Sequence, residues 1–228
     1  LRAKKNTLLN FGNSGTLARL LIGILSTTPD IEVKIRGDHS LNKRSMKELI
    51  EQMSKFGSFF LPHKKFKFPL KLKSSLMPIG INYYSGVSAQ LKSAVILAAL
   101  NSYGDTQIFE QNKSRDHTEN LLKENKQTIR IEDGGKKIIT IRGKKYLNPL
   151  NVNIPGDISS SAFFAALTLL NQNSKIQIKN VGLNPTRTGF YELLKKKNAK
   201  IKFLNVKKLN NELRGDIQVE SSKIKPIK

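Results

Sequence analysis

The stretch GTLARLLIGILS (Gly15–Ser26) decides the fold, because its plan recurs. A small polar start runs into an almost wholly apolar helix, and the same happens in SAQLKSAVILAAL (Ser88–Leu100) and SSSAFFAALTLL (Ser159–Leu170). Each segment is followed by a polar turn and a short alternating strand: IEVKIRG, DTQIFEQ and KIQIKNVG. Next comes a polar loop with an arginine (Arg44, Arg115, Arg187), then a second helix. That helix is amphipathic; in the first copy Met46, Leu49, Ile50, Met53 and Phe56 fall on one face. A strand closes each copy.

The repeat is roughly seventy residues long, well above the period of about 20–50 residues of solenoids, so the unit is a duplicated α/β module. Alternating strands and helices predict βαβ crossovers of right-handed sense. A helix apolar on every side must be buried on most sides, whereas the amphipathic one lies outside. The expected architecture is α/β, with sheets outside and one apolar helix per unit pointing inward. In NVNIPGDISSS, Pro155 and Gly156 interrupt a strand just before the third copy. Residues 1–154 are therefore expected to form most of one domain and 155–228 the beginning of another.

The composition narrows the classes. At 228 residues and 38% hydrophobic content there is material for a core. No apolar run reaches the eighteen or so residues of a membrane span, so no membrane association is expected. No charged-then-apolar leader is visible, and a cytoplasmic location fits. The absence of cysteine removes disulfides, thiolate metal sites and cysteine nucleophiles. The chain starts at Leu1 and ends on KIKPIK, which reads as a segment of a longer protein. A net charge of +23 raises the question of nucleic acid. Lysine far outnumbers arginine, however, and the basic residues are spread along the chain with no aromatic–basic platform, so no nucleic-acid partner is expected.

The candidate chemistry is anion binding. His39, His63 and His117 are scattered and none forms an i, i+4 pair with a ligand partner, so no metal site is expected. No Ser-His-Asp grouping is legible. Exposed N–H groups and the helix dipole at each small polar helix start favour a phosphate or carboxylate, and the loop arginines can grip oxyanions bidentately. Taken alone, a start such as GNSGT is equally an ordinary N-cap. Lys92, inside an apolar helix, either snorkels to the surface or is paired. In SRDHTE, Asp116 or Thr118 caps the following helix with Glu119 in its first turn, which leaves Arg115 unexplained.

Six motifs in order, LNFGNSGTLARLL, GDHSLNKRSM, SAQLKSAVILAAL, SRDHTENLL, IPGDISSSAFF and NVGLNPTRTG, make the chain resemble the 5-enolpyruvylshikimate-3-phosphate synthase (EPSP synthase) family over essentially its whole length. The resemblance implies an inside-out α/β barrel of βαβαββ units around buried parallel helices, with about three of the family's six units present. It implies transfer of the enolpyruvyl group of phosphoenolpyruvate to the 5-hydroxyl of shikimate 3-phosphate with release of phosphate, in a cleft between two domains. No metal or organic cofactor is implied, and a monomer is expected at full length. Gly15, Arg44 and Gln90 match residues that bind phosphoenolpyruvate, and Gly15 follows the glyphosate-sensitive pattern. Ser88, Ala89, Gln90, Ser114 and Arg115 match the shikimate 3-phosphate side, Ala89 through its backbone only. The family's acid–base groups lie in a lysine–serine motif and an acidic–arginine stretch that this sequence does not contain, so no catalytic residue is assigned and the chain is expected to be inactive alone. A related UDP-N-acetylglucosamine enolpyruvyl transferase fits less well, since those commonly use a loop cysteine and lack SRDHTE. A basic RNA-binding module is the alternative from another class.

Overall fold

The computed structural model describes residues 7–224. Leu1 and most of the KIKPIK end, on which the expectation of a longer protein rested, lie outside the described residues. Contacts divide the chain into two compact units. One runs to Ser114 and resumes over Leu122–Asn148; the other holds Arg115–Leu121 and Pro149 onward.

The first unit contains the repeat twice. Its first copy is β1 (Thr7–Asn10), α1 (Gly15–Thr27), β2 (Glu32–Arg36), a short α2 (His39–Lys43), α3 (Lys47–Lys55), β3 (Phe59–Leu61) and β4 (Leu70–Lys73). The sheet order is β1-β2-β4-β3, with β1 parallel to β2 and both other pairs antiparallel. The second copy is β5 (Asn82–Ser85), α4 (Ala89–Ala99), β6 (Asp105–Glu110), α5 (His117–Leu122), β7 (Ile129–Asp133) and β8 (Lys137–Arg142). Its sheet, β5-β6-β8-β7, has the same order and the same parallel and antiparallel pairs. Most of α5 is grouped with the second unit.

The second unit holds the third copy: α6 (Ile158–Leu170), β9 (Lys175–Gly182), α7 (Gly189–Lys196), β10 (Lys200–Leu209) and β11 (Glu212–Glu220). Its sheet is β10-β11-β9, all antiparallel. A single parallel bridge, Gly156 with Val181, stands where the other copies have their first strand. The first two copies are thus βαβαββ units, and the third follows the same order with the bridge in place of its first strand. A hairpin rather than a lone strand closes each copy, and in the first copy the arginine loop contains the one-turn helix α2.

Alternation explains the sheets. In β2, Val33 and Ile35 are buried while Lys34 and Arg36 face out. The amphipathic helix behaves as its spacing predicts: α3 buries Leu49, Ile50 and Met53, flanked by buried Met46 and Phe56. The apolar helices differ between units. α1 and α4 lie side by side and run the same way, since their contacts advance together: Thr16 and Arg19 with Gln90, then Gly23 with Ala94, then Thr27 with Ala98. α6 was expected to be buried on most sides, and it is not. Only the stripe Ile158, Ser161, Ala165, Thr168 and Leu169 is covered, while Phe163 and Leu170 remain 80% and 81% exposed. The reason is that α1 and α4 cover one another, whereas the described residues of the second unit include no other helix of this kind to cover α6. Among the described residues no helix is long and apolar enough to cross a membrane.

The tightest point of the first unit is Gly23. A Cβ there would stand 2.5 Å from the Ala94 carbonyl oxygen and 3.0 Å from its Cα. Helix propensity alone would favour alanine by about 1 kcal/mol. The clash is with backbone and cannot be relieved by a rotamer change, and overpacking of this kind costs about 1–3 kcal/mol. Gly23→Ala is therefore expected to lower stability and shift the urea midpoint down; a midpoint at or above the wild-type value would show that the helices can separate freely.

Candidate functional site

The N-terminal ends of α1 and α4 form the candidate site in the first unit. Ser14 caps α1 by accepting from the Leu17 amide at 3.2 Å, and Ser88 caps α4 by accepting from the Leu91 amide at 3.3 Å. Because the helices run parallel, two positive dipole ends stand at the same edge, each worth roughly half an elementary charge. No acidic residue occupies the first turn of either helix.

Two guanidinium groups reinforce that polarity. A Cβ on Gly15 would lie 3.0 Å from Arg19 Nη1 and 3.2 Å from Arg44 Nη1, so both arginines crowd the same bare backbone. Arg44 follows the last residue of α2, whose first turn is capped by Asp38, and its Nη2 donates to Asn13 Oδ1 at 3.0 Å. Arg19 donates to the Gly15 carbonyl at 3.2 Å and to Gln90 Oε1 at 3.1 Å; Gln90 Nε2 in turn donates to Thr16 Oγ1 at 2.6 Å. Partial burial and the nearby Arg44 charge hold the Arg19 guanidinium below the ordinary arginine value, partly offset by Glu48. Alongside lies a pocket of about 300 Å³ lined by Arg19, Ser45, Glu48 and Ser88 among others.

Behind α4, Lys92 settles the question its position raised: it is fully buried and paired, its Nζ 2.7 Å from Glu110 Oε1. The same oxygen accepts from the Ser114 amide at 3.0 Å and the Ser114 hydroxyl at 2.8 Å, while Lys137 lies 2.8 Å from Oε2. Lys137 is the residue directly opposite Glu110 across the β6–β8 ladder. Burial alone would raise the Glu110 carboxyl, but the bonds from Lys137, Lys92 and Ser114 outweigh it and bring it down to about 2.

In the second unit the loop arginine also reaches its own apolar helix: Arg187 Nη2 lies 3.0 Å from Asp157 Oδ1 and 2.6 Å from Ser159 Oγ. Asp157 is the N-cap of α6. Burial would raise its carboxyl, but the Ser160 amide and hydroxyl, with Arg187, keep it below the ordinary value. Just ahead of α5, the Asp116 carboxylate accepts from Asn184 Nδ2 at 2.7 Å, and His117 Nδ1 pairs with Glu212 at 2.8 Å.

Of the residues singled out in the sequence, Gly15, Arg44 and Gln90 therefore meet at one edge, joined through Arg19. Ser88 and Ala89 open α4, and Ser114 is tied to that helix through Glu110 and Lys92. Arg115 belongs to the second compact unit, where it is exposed and makes no side-chain hydrogen bond or ion pair with the described residues. Arg19, Glu110 and Lys137 were not anticipated. The signal for Arg19 was a charge inside an apolar helix, as for Lys92. For Glu110 it was the strand alternation, which puts it on the buried face with Thr106 and Ile108.

The model of the EPSP synthase (3-phosphoshikimate 1-carboxyvinyltransferase) family matches residues 1–228. The chain belongs to the EPSP synthase family. It is 44% identical over 225 residues to the 3-phosphoshikimate 1-carboxyvinyltransferase of Petrotoga mobilis, covering 97% of this chain and 51% of that protein. To the Bacillus subtilis protein of the same name it is 40% identical, with 97% and 51% covered. The EPSP synthase structure from Acinetobacter baumannii superposes with a TM-score of 0.81 at 33% identity, over 97% of this chain and 49% of that one. The chain thus spans about half the length of the curated relatives it matches. The enolpyruvyl transferase NikO from Streptomyces tendae, at 13% identity and a TM-score of 0.61, shares the fold.

Glu110 makes the unit acid-sensitive. Its carboxyl is lowered on folding, so its contribution to stability is complete above the ordinary value of 4.5 and is lost as the pH falls from there toward about 2. Glu110→Gln leaves Lys92 buried without this carboxylate, and breaking a buried pair in this way costs about 3–5 kcal/mol at neutral pH. Urea unfolding at a series of pH values should show the wild type losing stability between pH 4.5 and 2, with the variant's curve flatter over that window; parallel curves would remove Glu110 as the cause.

Proposed function

We propose that this chain is the part of a 3-phosphoshikimate 1-carboxyvinyltransferase that holds much of the ligand shell for phosphoenolpyruvate and shikimate 3-phosphate. The observation that carries the reading is the edge where two parallel helix N-termini, Arg19, Arg44 and Gln90 surround the bare backbone of Gly15. Both substrates are polyanions, and donors fixed in advance at such an edge stabilise negative charge without reorganising. In this reading Gly15, Arg44 and Gln90 contact phosphoenolpyruvate, and the missing Gly15 side chain leaves room for it. Ser88, the Ala89 backbone, Gln90, Ser114 and Arg115 contact shikimate 3-phosphate.

The reaction class follows from the substrates. The enolpyruvyl methylene takes a proton, the 5-hydroxyl of shikimate 3-phosphate attacks the carbon bearing the phosphate, and that hydroxyl's proton leaves. The tetrahedral adduct then expels phosphate as the new methyl group returns a proton, restoring the double bond. These steps require an acid and a base at the transferred carbon. We assign that role to groups outside this chain, so the chain alone is inactive. Residues 1–154 are read as most of one domain and 155–228 as the start of the next. The full-length protein is taken to be a cytoplasmic monomer without a metal or organic cofactor.

The test uses a chain extended to the length of its relatives. Wild-type protein should release phosphate from phosphoenolpyruvate only when shikimate 3-phosphate is present. Loss of a bidentate arginine from an anion site costs about 1.5–3 kcal/mol, so Arg44→Ala should raise the KM for phosphoenolpyruvate roughly tenfold or more. No phosphate release by the wild type would overturn the assignment, and an unchanged KM would take Arg44 out of the site.

A further inference from the structure

Ser114 raises a difficulty for the reading above. Its single hydroxyl proton is directed at Glu110 Oε1, 2.8 Å away, so in this arrangement it offers no proton to a phosphate. Glu110 has donors to spare, however. Oε1 also receives the Ser114 amide at 3.0 Å and Lys92 Nζ at 2.7 Å, and Oε2 faces Lys137 Nζ at 2.8 Å. A buried carboxylate with one donor would hold it tightly, because losing it would leave a buried charge uncompensated. A carboxylate that accepts three hydrogen bonds on one oxygen and faces a second ammonium on the other can release one.

We infer that the Ser114 hydroxyl is a transferable donor, held on Glu110 and handed to a phosphoryl oxygen of shikimate 3-phosphate on binding, with Lys137 as the positioning residue that keeps Glu110 satisfied during the exchange. The proton stays on Ser114 Oγ throughout; only its acceptor changes. The Ser114 amide bond to Glu110 persists and keeps the serine in place while its hydroxyl turns. Lys137 suits this role by its location. It lies across the β6–β8 ladder from Glu110 with a fifth of its side chain exposed, and its ammonium stands 2.8 Å from the oxygen that Ser114 does not use, close enough to take up a bond there when Ser114 leaves. The inference rests on the proposed assignment of Ser114 to the shikimate 3-phosphate side.

Steady-state kinetics on the full-length protein test it through the coupling between two positions. Lys137→Met should raise the KM for shikimate 3-phosphate about five- to tenfold, the scale of one weakened hydrogen bond to a charged group, while kcat and the KM for phosphoenolpyruvate stay within about twofold. Lys137→Arg should restore most of the loss. In a Ser114→Ala background, where there is no hydroxyl to transfer, Lys137→Met should change the KM for shikimate 3-phosphate by less than about twofold. An unchanged KM in Lys137→Met, or an equal increase in both backgrounds, would overturn the inference, the second because it assigns Lys137 an effect independent of Ser114. Failure of the wild type to use shikimate 3-phosphate would instead defeat the functional assignment, and the inference with it.

Discussion

The first unit depends on how closely α1 and α4 approach. With no side chain on Gly23, the backbone of α1 rests against Ala94 of α4, and the two helices lie parallel from their capped starts to the Thr27–Ala98 hydrogen bond. Parallel alignment puts like dipole ends together, which is unfavourable in isolation. Burial of Ala18, Ile22, Leu25, Leu91, Val95 and Ala98 in one core outweighs it, since each buried aliphatic side chain contributes on the order of 1.5–3 kcal/mol. The core thus fixes two positive helix ends at one edge. Arg19 and Arg44 then find Gly15 there, and Gln90 bridges the two helices.

A second constraint is the lysine buried in α4. An unpaired ammonium at that depth would cost several kcal/mol, so its position requires a carboxylate nearby. β6 supplies one because alternation turns Glu110 inward, and the β8 hairpin strand sets Lys137 directly opposite. The outcome is a polar cluster inside an apolar layer. It joins helix, sheet and the Ser114 loop more specifically than hydrophobic contact alone could.

Much of this was legible in the residues. Three apolar segments at matched spacing gave the three units, and the Met46–Phe56 pattern gave the buried face of α3. The hairpin closures were obscured because β3 is only three residues long and its partner β4 lies beyond two prolines, where alternation has little room to show. The one-turn α2 carries no apolar period at all; it is set by the Asp38 cap. Arg44, Gly15 and Gln90 came from motif resemblance, whereas Arg19 and the Glu110 cluster depend on which charged groups face each other once distant segments pack. No single stretch contains that information. The bare face of α6 has a similar origin: its sequence says only that it is apolar, and coverage depends on what packs against it.

The three N-caps are not equivalent, and that difference divides labour within a repeated scaffold. Ser14 and Ser88 are neutral, so the ends of α1 and α4 keep their positive polarity toward whatever lies beyond them. Asp157 brings a charge of its own, and Arg187 neutralises that charge in turn. The α6 terminus is thereby closed electrostatically: its dipole is satisfied by the chain itself, and its arginine is already engaged. One difference, serine against aspartate at the same structural position, separates two helix ends capped by a neutral hydroxyl from one whose cap carries a charge paired within its own unit.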